Sequence, residues 1–230
     1  MRRFILLLFV FTTTIGLYAQ NAFFPATAGI VQTYVQKNAK EKVESYTRQV
    51  VKDVQVSGDE MTVSYTFETL DKNQKQKDPP MVFSCKVVIK GDVVTLDMNE
   101  FFAGMQQDEQ LSALVEITGV PMEISGSLRP GEKLKDADMT MTMDLGIMKM
   151  KTNVQMTDGE CLAIEDVTVP AGTFKCHKIT QTATTTVMKR KTETKTISWY
   201  ALGIGTVKTE TYNDKNKLDN TTELVQLIQP

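Results

Sequence analysis

An unbroken series of turn and strand signals from Val167 to Glu210 constrains this chain more than any other stretch. Val169-Pro170-Ala171-Gly172 reads as a turn, because proline presets φ and glycine supplies a left-handed position. Thr180 to Thr196 is rich in threonine, whose branched Cβ stiffens χ1 and favours extended backbone. The single tryptophan, Trp199, then leads into the paired-glycine bend Gly203-Ile204-Gly205. Residues in this order form the spine of an antiparallel sheet.

The rest of the chain repeats the scheme. Ile30 to Gln36 and Val43 to Val56 read as strands, and Met61, Val63, Tyr65 and Phe67 fall on the alternate positions of a half-buried one. Asp78-Pro79-Pro80 cannot donate to a ladder and marks a loop or a sheet edge. Met81 to Ile89 and Val93 to Leu96 make a tight hairpin around Lys90-Gly91-Asp92. Asn99 to Val115 breaks the rhythm: its apolar residues approach a helical period and Asn99 is placed as an N-cap, which predicts one short helix. Strand signals return at Val120 to Ser125, at Met139 to Met143 and at Met148 to Met156. They then fill Leu162 to Val169, Thr173 to Val187, Lys191 to Tyr200, Ile204 to Tyr212 and Leu218 to Ile228. The expected fold is mainly β: a single antiparallel β-barrel, half-barrel or sandwich of roughly ten strands with one short helix. No composition shift divides residues 20–230, which read as one domain. Asp71-Lys72-Asn73 and Asp214-Lys215-Asn216 give a faint internal echo, each following a strand.

Residues 1–19 carry Arg2-Arg3, an apolar run from Phe4 and a small residue, Ala19, before Gln20. That is the plan of a secretory signal peptide, too short to span a bilayer comfortably. The first cysteine is Cys85, so no lipid-accepting cysteine follows the cleavage point, and the expected product is a soluble periplasmic protein rather than a lipoprotein. Loss of Arg2 and Arg3 leaves 24 basic residues against 28 acidic, a net charge near −4. That balance argues against nucleic acid or an anionic membrane surface as partner, and no later segment is apolar enough to cross a membrane.

The string VTVPAGTFKCHKI at Val167 to Ile179, then WYALGIGTVKTE from Trp199 and YNDKNK from Tyr212, resembles a family of exported proteins of Gram-negative gut anaerobes. That family is defined as a domain of unknown function. The likeness extends over most of the mature chain and implies a periplasmic all-β protein without assigned activity. It carries no catalytic residues across.

No catalytic constellation emerges from the residues themselves, and the chain is expected not to be an enzyme. His177, the single histidine, reads as exposed and functionally silent, with Cys176 pointing to the opposite face of its strand. Cys161, Cys176 and His177 lack the spacing of a zinc set, so no metal and no cofactor is expected. Gly203-Ile204-Gly205 precedes a strand and fails as a dinucleotide loop. Asp71-x-Asn73 and Asp214-x-Asn216 lack the rest of a calcium loop and read as hairpin turns. With a loop at Met188 to Arg190, Thr184 would face Thr194 and Thr182 would face Thr196, a hydroxyl ladder for glycan or ordered water, or else a solvated outer face. If a disulfide forms, Cys85 with Cys176 is the better pair. A hairpin near Ala171 sets Cys176 opposite about Asp166 and carries Cys161 out of reach.

The methionines are the strongest functional hint. Six of the 13 fall between Met139 and Met156 on alternate positions of two successive strands. A sheet face lined with these flexible, polarizable side chains can mould itself to varied apolar ligands, core packing being the competing reading. Met139, Met141, Met143, Met148 and Met150, with Trp199, are the candidate ligand-binding residues. The expected function is a non-enzymatic binding or carrier protein for an apolar or lipid-like small molecule. The alternative is a structural or assembly component of the cell envelope that meets a protein or a glycan.

Overall fold

The structure, a computed structural model, describes residues 22–97, 115–144 and 149–230. The first strands are β1 (Val31–Asn38), β2 (Val43–Ser57), β3 (Glu60–Leu70), β4 (Gln76–Lys90) and β5 (Val93–Asp97). Next come β6 (Val115–Val120), β7 (Glu123–Ser125), β8 (Ala137–Asp144) and β9 (Lys149–Val169). The chain closes with β10 (Gly172–Val187), β11 (Arg190–Ala201), β12 (Gly205–Tyr212) and β13 (Leu218–Ile228). Among the described residues there is no helix, and so none long and apolar enough to cross a membrane. The helix expected over Asn99 to Val115 lies outside the described residues except for Val115, which opens β6.

All thirteen strands among the described residues join one antiparallel sheet, in the order β6-β8-β9-β10-β11-β12-β13-β1-β2-β3-β4-β5-β7. Its two end strands, β6 and β7, are neighbours in sequence, linked by Pro121 and Met122 alone. Three Cα steps span roughly 10 Å at most, so the sheet must curl until its ends nearly meet. No ladder joins β6 to β7 among the described residues, and the sheet is not closed into a barrel.

Period-2 alternation then decides what fills the curl. Met61, Val63 and Tyr65 on β3 stand in register with Ile89, Val87 and Cys85 on β4, and Val94 of β5 carries the same face to Ile124 of β7. These residues pack against Cys161 of β9 and Ile179 of β10, with Leu128 and Phe23 between the two walls. We call this the inner face. The residues Ala22-Phe23-Phe24-Pro25 act as its wedge: the Gly203 N–H donates to the Ala22 carbonyl (2.8 Å) and the Tyr65 hydroxyl to the Pro25 carbonyl (2.6 Å). The glycine bend exists for this contact. At Gly205, φ is +94° and a Cβ would stand 3.0 Å from the Phe23 carbonyl oxygen.

Local signals place the turns. Asn38, Asp71 and Asn213 each use a side-chain oxygen to accept two backbone N–H groups, two and four residues further on. In each loop the residue three positions after it takes positive φ: Glu41, Gln74 and Asn216. The echo is therefore threefold, and Asp71 corresponds to Asn213 rather than to Asp214. It is turn chemistry. The Pro79-Pro80 pair lies within β4, at a register break between Thr69↔Met81 and Leu70↔Gln76, and of β4 the residues Lys86 to Lys90 pair with β5.

The β9–β10 hairpin extends beyond the sheet plane. Its tip, Pro170-Ala171, folds across β11 and β12 so that the Ala171 N–H reaches the Leu224 carbonyl of β13 (3.3 Å). Val167, Val169 and Phe174 thereby join Cys176, Trp199 and Val207 in a second apolar cluster on the outer face.

Candidate functional site

The β8–β9 ladder is regular, with Met139 opposite Val154, Met141 opposite Thr152 and Met143 opposite Met150. Ile117 of β6 stands opposite Met141 on the other side. One face of β6, β8 and β9 therefore carries Ile117, Met139, Met141, Met143, Met150 and Val154, with Met156 opposite Ala183 of β10. Strand β10 pairs with β11 without a shift from His177 to Val187, so Ala183 shares its face with Ile179. The methionines stand on the inner face, beyond the packed cluster. Met139 is buried and Met141, Met143 and Met150 are half-buried. Met148 lies outside the described residues. No methionine lines the clefts at Val35, at Leu134 or at His177.

Trp199 does not join them. It pairs with Lys178, shares the outer face with Cys176, and is 6% exposed. Its indole N–H donates to Glu165 Oε1 (2.7 Å), and the ammonium groups of Lys178 and Lys208 each stand 5.1 Å from the ring centroid. A tryptophan held in this way anchors the folded-over hairpin. The period-2 rule separates it from the methionine face.

The threonine ladder also takes a different register. The turn has two residues, Met188 at φ +55° and Lys189, so Thr184 faces Glu193 and Thr182 faces Lys195. A one-residue slip sends every side chain to the other face, and Thr184 and Thr194 end on opposite sides. The expected hydroxyl pairs do not form.

Cys85, Cys161 and Cys176 are buried and form no disulfide. Cys85 and Cys161 belong to the inner cluster and Cys176 to the outer one, so the expected Cys85 to Cys176 pairing fails because the sheet stands between them. Cys176 stands opposite Glu165, one residue from the expected Asp166, and Cys161 opposite Ile179.

His177 is buried at 8% exposure, not exposed as its sequence context suggests. Phe23 covers it edge-on with ring centroids 4.9 Å apart, Tyr200 stands opposite on β11 and Ile164 opposite on β9. Its Nδ1 has no hydrogen-bond partner among the described residues. It lines a cleft of about 520 Å³ whose apolar walls include Ile164, Phe174, Leu202 and Ile204. Sequence reading passed over this place. The signal was the apolar run Ala22 to Phe24 ahead of the first strand, which marks a segment that must be buried somewhere.

The DUF3108-like family profile matches residues 27–224. The chain belongs to the DUF3108-like family. Two solved structures share the fold of this DUF3108-like chain. One, from Bacteroides fragilis, is described as an exported protein with a YmcC-like fold (19% identity, TM-score 0.68, covering 90% of this chain and 99% of that one). The other, from Parabacteroides distasonis, is described as a lipoprotein (20% identity, TM-score 0.71, covering 90% and 98%). Among curated proteins none matches. Among the described residues of this family member, no three His, Cys, Asp or Glu side chains are grouped to hold a metal ion.

The histidine makes a pH prediction. Burial, and then the charge of Lys175, hold the His177 imidazole below its ordinary value. The unfolded chain regains a pKa near 6.5, so it takes up the proton first as pH falls. Stability is therefore full above about pH 6.5 and declines below it. Urea midpoints measured between pH 8 and pH 5.5 should fall toward the acid end, and His177→Phe should flatten that decline. A midpoint independent of pH over this window would show that the imidazole is not desolvated.

Proposed function

We propose that the chain is a periplasmic, non-enzymatic binding or carrier protein, its sheet a half-barrel that holds an apolar or lipid-like ligand on the inner face. One observation carries the reading. Met139, Met141, Met143 and Met150 continue the face that elsewhere builds the core, yet among the described residues they belong to neither packed cluster. Unbranched thioether side chains adapt to ligands of varied shape at low strain. The far wall of the same face is apolar too: Phe67 and Phe83 stack with centroids 5.0 Å apart, and Met81 is 53% exposed. Export is supported by residues 1–19 and by the descriptions of the two structural neighbours. Their source organisms support an exported family of gut anaerobes.

Titration with a fluorescent fatty acid tests the reading. The unaltered protein should bind the dye saturably, and Met141→Asp with Met150→Asp should weaken binding at least tenfold, since a carboxylate in an apolar site forfeits its hydration. Native mass spectrometry of protein drawn from its own envelope should show a co-purified lipid. A dye that never binds, or an empty protein held by a partner, would favour an envelope assembly component instead.

A further inference from the structure

The cleft at His177 shares no lining residue with the methionines, although His177 stands on the same inner side of β10 as Ile179 and Ala183. Its walls are mostly apolar, and two of them are left open to water: Ile164 is 39% and Leu202 40% exposed. Its volume, about 520 Å³, falls within the roughly 300–1,000 Å³ of small-molecule sites. It holds a buried imidazole whose Nδ1 has no hydrogen-bond partner among the described residues. A buried polar atom left unsatisfied has lost its hydrogen bond to water, so a ligand that supplies a partner recovers that free energy. Lys175, on the same face of β10 two residues before His177, gives the lining its one charge among the described residues. Thr173 and Lys175 are exposed at its mouth.

We infer that this cleft binds a small carboxylate-bearing amphiphile, its chain against Ile164, Phe174, Leu202 and Ile204 and its carboxylate accepting a hydrogen bond from His177 Nδ1 near the Lys175 ammonium. A neutral imidazole can carry its proton on Nδ1, and an imidazolium carries one there always. The groups that face the ring are Ile164 from β9, Tyr200 from β11, Phe23 from the N-terminal segment and Lys175 from β10 itself. No acidic side chain lines the cleft among the described residues, so a bound carboxylate would be the first anion the ring meets there. Binding then favours the protonated ring, and affinity rises as pH falls.

Decanoate, kept below its micelle concentration, is the probe, and decanol the neutral control. The chain has one histidine, so the two ring nitrogens of untagged protein give one unambiguous imidazole spin system by NMR. Decanoate should shift that signal saturably and bind several-fold tighter at pH 6 than at pH 8, with decanol showing no such dependence. Leu202→Asp, an exposed change that the fold tolerates, should weaken decanoate at least tenfold. Met141→Asp should leave the decanoate-induced shift at His177 unchanged, which keeps this result distinct from the outcome at the methionine face. The inference is overturned if millimolar decanoate leaves the His177 nitrogens unmoved. Binding abolished by Met141→Asp would overturn it too, as would decanol binding as tightly with the same pH dependence.

Discussion

Phe23→Ala is expected to destabilise the protein by about 3–5 kcal/mol, the cost of removing a fully buried phenylalanine from a packed site. Phe23 is completely buried and packs edge-on against His177 of β10 and at 5.6 Å, ring to ring, from Tyr200 of β11. Its neighbours tie the same short segment to both walls of the curled sheet: Ala22 accepts from Gly203 at the β11–β12 turn, and Pro25 accepts from Tyr65 of β3. The cavity left by alanine would therefore lie between two parts of the sheet that no ladder joins directly. Collapse to fill it would require the walls to move together. Urea unfolding followed by the Trp199 fluorescence measures the loss, and Phe24→Ala, a partly buried neighbour, should cost clearly less. A cost for Phe23→Ala under about 1 kcal/mol would show that the segment rests on the sheet without bridging it.

The strands were legible because alternation is a local property. Met61, Val63 and Tyr65 announce a half-buried strand wherever it pairs, and the Asx-initiated loops fix hairpins within five residues. Two kinds of information were not local. The first is register, where one residue in the Met188 turn decides whether Thr184 faces Thr194 or Glu193, and nothing in a run of threonines distinguishes the two. The second is sheet order. β6 and β7, separated by two residues, stand at opposite ends of a thirteen-stranded sheet, and only curvature reconciles those facts. The candidate site divides along the same line. The methionine face was readable from its period. Grouping Trp199 with it required knowing which side of β11 the ring takes, and the regular β10–β11 ladder puts the ring on the other side. The His177 cleft was not readable at all, since Ile164, Leu202 and Phe23 meet there from three distant stretches of chain.

The thiol of Cys176 is expected to react with an alkylating reagent about a thousandfold more slowly in the native protein than in the unfolded chain. Burial above all, then the nearby carboxylates of Asp166 and Glu165, push this thiol from its ordinary value of 9.0 up to about 12. The thiolate is the reacting species, and three units of pKa lower its population about a thousandfold at pH 8. Access works in the same direction, because Cys176 lies beneath the folded hairpin tip with Val169 and Trp199. Its thiol donates to the Phe174 carbonyl of its own strand (3.4 Å), an arrangement that keeps the proton on sulfur. Timed alkylation with iodoacetamide followed by peptide mapping measures the ratio directly, without reductant, so that any disulfide present would be seen. Unfolding in urea should release all three thiols to full reactivity. Because Cys176 stands on the outer face and Cys85 and Cys161 on the inner, no crosslinked peptide containing Cys176 should be found. Prompt native labelling of Cys176 would mean that the hairpin tip opens readily. A Cys161 to Cys176 crosslink would mean that the register of β9 against β10 is wrong, and with it the assignment of the methionines and Trp199 to opposite faces.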